Sequence, residues 1–138
     1  MERLVAQGKW GTVEWAINSR NVAPAQEYYQ GLSPERKAKL LVLFQNLAQR
    51  GVIRNVQKFK NLGHRAKGKG AELWEFKSGE DRLLGDFRPG GRFLIAHGLS
   101  KKKDDLPKPD IEKAVRILEE HDYNEQQQRR TDCSKNTH

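Results

Sequence analysis

Three apolar runs, ELWEFK (72–77), RLLGDF (82–87) and RFLIAHGL (92–99), follow one another with only SGED and RPGG between them. Connections of four residues are too short to carry a crossover, so three strands joined this way must lie side by side and antiparallel. ELWEFK alternates, with Trp74 and Phe76 on one side and Glu75 and Lys77 on the other. RFLIAHGL is the last and the most continuously apolar of the three, and is expected to be the most buried. A β-meander over residues 72–99 is therefore the feature around which the rest of the chain must arrange itself.

Upstream, GTVEWAI (11–17) also alternates, with Val13, Trp15 and Ile17 on one side and Thr12 and Glu14 on the other. It predicts a first strand. AQEYYQGL (25–32) predicts a short helix ended by Gly31, and a second helix starts at Ser33 as N-cap, followed by Pro34 and Glu35. Leu40, Leu43, Phe44 and Leu47 keep one stripe of that helix apolar, and Gly51 stops it. The two helices are expected to form an antiparallel hairpin. FKNLGHRAKGKG (59–70) is basic, glycine-rich and aperiodic, and predicts a mobile loop. A last helix is expected to begin near Asp110, since Ile111, Ala114, Val115 and Leu118 return at helical spacing. From Tyr123 onward NEQQQRRTDCSKNTH offers nothing to bury, so residues 124–138 predict a disordered tail behind a single domain over residues 1–123. The order is β, α-hairpin, three-stranded antiparallel meander, α: a small α+β domain.

With 138 residues and a net charge of +8, the chain has the charge balance of a protein with polyanionic partners, nucleic acid first among them. The charge is concentrated: between Glu35 and Glu72 there is no acidic residue, whereas Arg36, Lys37, Lys39, Arg50, Arg54, Lys58, Lys60, Arg65, Lys67 and Lys69 all fall there. No window approaches the roughly 20 apolar residues of a membrane span, and MERLVAQGKW lacks the apolar core of a secretion signal, so a cytoplasmic protein is expected. The lone Cys133 excludes an intramolecular disulfide. HGLSKKKDDLP (97–107) raises a sharper point, because the most apolar strand runs directly into three lysines.

LWEFK, RLLGDF and FLIAHGLSKKKDDLPKPDIEKA, taken in succession, resemble the RelE/ParE superfamily of bacterial toxins, and within it the phage-derived, HigB-like branch. Leu73, Trp74, Glu75, Arg82, His97, Gly98, Lys101, Lys102, Pro107, Ile111 and Ala114 match that branch in order and approximate spacing. The resemblance is close over residues 70–120, and over residues 10–55 it rests on element order. It implies a RelE-like domain, folded like a microbial ribonuclease, that cuts mRNA at the ribosome. The implied partners are mRNA, the 70S ribosome and a co-transcribed antitoxin, itself expected to be a helix-turn-helix protein; no membrane partner is implied. Members of the ParE branch instead bind gyrase without catalysis, and a phage accessory protein that binds RNA without cutting it is a third possibility.

Cleavage of this type needs no cofactor and no metal: a ribose 2′-hydroxyl attacks the adjacent phosphorus and leaves a 2′,3′-cyclic phosphate. It requires a base, cations around the transition state and an acid for the leaving 5′ oxygen. The resemblance places Arg82 as the charge stabiliser, since a guanidinium can hold two phosphate oxygens. Arg82 opens a strand just after a turn, with little core to support, so its loss is expected to cost the fold little. Lys77 is a phosphate contact, or a base if neighbouring cations lower its pKa, and is expected on the face away from the helices. Lys101 and Lys102 coincide with the family's paired lysines and join the catalytic set, while Lys103, Lys58, Lys60, Arg65, Lys67, Lys69 and His64 are candidate RNA contacts. His97, a residue type whose unperturbed pKa is close to neutrality, is a candidate acid or base, although its apolar strand suits a hydrogen-bonded core histidine better. Trp10, Tyr28 and Tyr29 are candidates for stacking on bases. DDLPKPDIEK lacks the tyrosine or histidine that several RNA-cleaving relatives carry near the start of the last helix, which leaves the general acid unassigned.

Overall fold

Ser33 opens its helix as the sequence requires: its hydroxyl oxygen accepts a hydrogen bond from the Arg36 amide, and Pro34 follows it. Such a cap satisfies one of the amides that a helix start leaves without a partner. The computed structural model describes residues 3–63, 72–101 and 106–135. Along the chain lie β1 (Leu4–Gln7), β2 (Thr12–Trp15), α1 (Pro24–Gln30), α2 (Pro34–Arg50), β3 (Phe59–Asn61), β4 (Trp74–Ser78), β5 (Asp81–Arg88), β6 (Arg92–Ser100) and α3 (Lys108–Lys135).

The strands form one six-stranded sheet in the order β1-β2-β6-β5-β4-β3. β4, β5 and β6 make the expected antiparallel meander, and β2 joins β6 in parallel, with Val13 opposite Phe93 and Trp15 opposite Ile95. Gly90 and Gly91 both take left-handed backbone angles, φ 88° and 73°, which is why the RPGG turn spends two glycines. The two sheet faces build two cores. On one, Val13, Trp15, Leu83, Phe93 and Phe76 meet Leu40, Phe44 and Leu47 of α2. On the other, Leu73, Leu84, Leu94 and Ala96 meet Ile111, Ala114 and Leu118 of α3.

Three expectations are corrected. β1 was not anticipated: of LVAQ only Ala6 is buried, so no apolar pattern announces this edge strand. β3 lies inside the segment read as a mobile loop, because Phe59, 2 % exposed and stacked on Trp74 at 4.9 Å, anchors three residues against β4; residues 64–70 of that segment fall outside the described residues. The third correction is at the C-terminus, where α3 continues to Lys135 through the stretch expected to be disordered. Its hold there is polar. Arg92 binds Glu125 at 2.7 Å, and Asn124 Nδ2 donates to the Asn18 carbonyl at 3.0 Å. Residues 136–138 lie outside the description.

Candidate nucleic-acid interface

Directly opposed residues of neighbouring strands share a face of the sheet. Lys60 lies opposite Glu75, Glu75 opposite Leu84, and Leu84 opposite His97; one row along, Lys77 lies opposite Arg82 and Arg82 opposite Leu99. Since Leu84 belongs to the core under α3, Lys60, Glu75, Lys77, Arg82 and His97 all occupy the face that α3 packs against. The expectation that Lys77 projects from a helix-free face is thereby corrected. α3 covers β5 and β6, while Lys58 and Lys60 stay exposed on and beside β3 and Lys77 is half-buried on β4.

Arg82 is also not the lightly held surface residue expected after a turn. It is 9 % exposed, and its Nη1 donates to the carbonyls of Gly79 at 2.6 Å and Asp81 at 3.0 Å. Its Nε lies 3.8 Å from Glu75 Oε2. Arg82 therefore ties the β4–β5 turn to its own strand while presenting charge to the sheet face.

Glu75, 3 % exposed, is the centre of the group. Burial pushes its carboxyl above the usual range, and the charges of Arg82, Lys77, Lys101 and Lys60 pull against that shift. Lys101 is 9 % exposed and its amide donates to the Glu80 carbonyl at 2.8 Å, which brings the end of β6 back over the same turn. Lys102, Lys103, His64, Arg65, Lys67 and Lys69 lie outside the described residues. His97 sits on the same face, but its Nε2 is 2.7 Å from Asp110 Oδ1 at the start of α3. Burial lowers its pKa and Asp110 opposes the shift. Its geometry is that of a core histidine joining helix to strand.

The opposite face of the turn holds a group that residue pattern alone did not reveal. Asp81, 1 % exposed, accepts from Tyr28 Oη at 2.5 Å and from Arg36 Nε at 2.9 Å. Burial would raise its carboxyl, but the bonds from Arg36 and Tyr28 prevail and hold it below the usual carboxylate range. Tyr28 itself is raised, by burial and then by its bond to Asp81. Gly98 accounts for the HG pair: a β-carbon there would lie 2.5 Å from the Tyr28 ring, which rests directly on β6. The aromatic residues proposed for stacking on bases are half-buried and make contacts within the fold. Tyr29 donates to the Lys37 carbonyl at 3.0 Å, and Trp10 meets Phe87 edge-on at 5.7 Å.

Among the described residues no group of histidine, cysteine, aspartate and glutamate is arranged to hold a metal ion, and no helix is long and apolar enough to cross a membrane. No curated protein matches the chain. The family model for phage derived protein Gp49-like (DUF891) matches residues 27–119, which run from α1 through the meander and into α3 and include the whole cationic face. Because that match spans more than half of the sequence, the chain belongs to the phage-derived Gp49-like family.

Proposed function

We propose that this protein is a RelE/HigB-like toxin of a type II toxin–antitoxin pair, acting in the cytoplasm as an endoribonuclease on translated mRNA. The observation that carries the reading is the convergence of Lys60, Lys77, Arg82 and Lys101 from β3, β4, β5 and the end of β6 around one point of one sheet face. Cations spaced along neighbouring strands suit a phosphodiester backbone laid across the sheet, and they stabilise the extra negative charge that builds when a 2′-hydroxyl attacks phosphorus. Exposed Lys60 and half-buried Lys77 are the groups a phosphate meets first. Arg82, held from behind by two carbonyls, is preorganised to add charge without moving. A co-transcribed helix-turn-helix antitoxin would neutralise it.

The engagement of Arg82 Nη1 with two backbone carbonyls favours a second reading, an accessory protein that binds RNA without cleaving it. Induced expression followed by mapping of new RNA 5′ ends separates the readings. Growth arrest with new ends inside translated frames is the expected result. Bound RNA with no new ends supports the accessory protein, and intact mRNA with altered DNA supercoiling supports gyrase binding as in the ParE branch.

A further inference from the structure

Glu75 is a buried carboxylate among cationic side chains. Its Oε2 is enclosed and accepts no hydrogen bond among the described residues, and the nearest guanidinium nitrogen, Arg82 Nε, stands at 3.8 Å, beyond hydrogen-bond reach. The groups that face it come from every neighbouring element: Lys60 from β3, Lys77 beside it on β4, Arg82 from β5, His97 from β6, Lys101 from the end of β6, and Asp110 of α3 behind His97. Among the described residues, then, Oε2 is held by the field of several cations rather than by a hydrogen bond of its own.

We propose that Glu75 is the resident anion of this face, occupying Arg82, Lys77, Lys101 and Lys60 until an RNA phosphodiester competes for them, and that it takes up a proton from solvent when the phosphodiester binds. This rests on the reading of the face as a phosphate site. Like charge brought beside a buried carboxylate disfavours its ionised form, and burial already works in that direction here. Linkage is reciprocal, so if phosphate binding raises the proton affinity of Glu75, protonating Glu75 strengthens phosphate binding by the same factor. The site would then bind RNA more tightly as the pH falls, and Glu75 would set how firmly the cations grip.

The test uses the full chain and its Glu75→Gln variant, with two probes: sulfate, whose charge is constant over the range, and a 2′-O-methyl RNA oligonucleotide, which has no 2′-hydroxyl to attack. Binding is measured from about pH 5 to about pH 8. In the parent, affinity for both should fall with rising pH at a slope approaching about tenfold per unit where Glu75 titrates. Glu75→Gln should bind more tightly at the upper end and retain only the shallower slope left by His97. In the parent alone, NMR of the Glu75 carboxyl carbon should show its titration midpoint moving upward on saturation with sulfate, a measurement that needs no variant to fold. Equal slopes in parent and variant, weaker binding by Glu75→Gln, an unmoved midpoint, or no binding of either probe would each overturn the inference. Sulfate binding with Glu75-linked proton uptake but no oligonucleotide binding would keep it and remove the RNA reading. New RNA ends in cells together with equal slopes would do the reverse.

Discussion

His121 Nδ1 accepts a hydrogen bond from the Ile17 amide at 2.9 Å, joining α3 to the segment after β2 across 104 residues of sequence. An accepting Nδ1 carries no proton, so the neutral ring has its proton on Nε2, which faces Glu125 Oε1 at 3.5 Å. The imidazolium form would set two N–H groups against each other in a site that is 0 % exposed.

Acid sensitivity follows. Burial lowers the pKa of His121, with Glu125 opposing and Arg3 and Arg92 reinforcing, and burial likewise lowers that of His97. Both folded values lie below the ordinary histidine value of about 6.5, so between the two the unfolded chain binds more protons than the folded one. The associated stability is therefore present in full above about pH 6.5 and is lost as the pH falls from there through the folded values. Urea midpoints measured across that window should decline. His121→Asn, which keeps an acceptor for Ile17 but cannot titrate, should decline less steeply. His121→Ala should cost about 2 to 4 kcal/mol at neutral pH, from the stranded amide and the cavity together.

Arg82→Ala should lose stability as well as the proposed activity. Removing a charged donor from two backbone carbonyls is worth about 1.5 to 3 kcal/mol, well above an ordinary surface change. Lys77→Ala, at a half-buried position, should leave the free energy of unfolding within about 0.5 kcal/mol of the parent. On the proposed endoribonuclease reading both should depress RNA cleavage, Arg82→Ala by about two to three decades through loss of transition-state stabilisation. Cleavage and unfolding curves on the same preparations distinguish the two effects, and Lys77→Ala cleaving as fast as the parent would remove that lysine from the site.

Gly98→Ala adds only a methyl group but places it 2.5 Å from the Tyr28 ring. The ring must move off β6, and the bond from Tyr28 to Asp81 goes with it. A loss of about 1 to 3 kcal/mol is expected from the overpacking. Gly98→Ala combined with Tyr28→Ala should cost less than the sum of the two single changes, a coupling that a double-mutant cycle measures directly.

Truncation maps where α3 begins to matter. Residues 127–131 belong to neither apolar core, so deleting residues 127–138 should shift the thermal midpoint by no more than a few degrees. Deleting from His121 onward also removes the ties to Ile17, to the Asn18 carbonyl and to Arg92. That shorter chain should melt far earlier or fail to accumulate as a folded protein.

Much of this architecture is local chemistry and was legible without coordinates. The alternation of TVEW and of Trp74 with Phe76, the two tight turns, the Ser33-Pro34 start and the apolar stripe of α2 each act over a few residues, and the elements they predict are present. What only the tertiary structure decided depends on partners far away in the chain. β1 and β3 are strands because a neighbour supplies their hydrogen bonds, and Phe59 alone signals the second of them. The C-terminal half of α3 is polar and reads as a tail until Arg92, Asn18 and Ile17 are seen to hold it. Arg82, placed after a turn, reads as exposed until the Gly79 carbonyl and Glu75 close around it. Apolar periodicity records where a chain can bury carbon, whereas the polar contacts that define this site depend on register between strands, and register exists only once the sheet has formed.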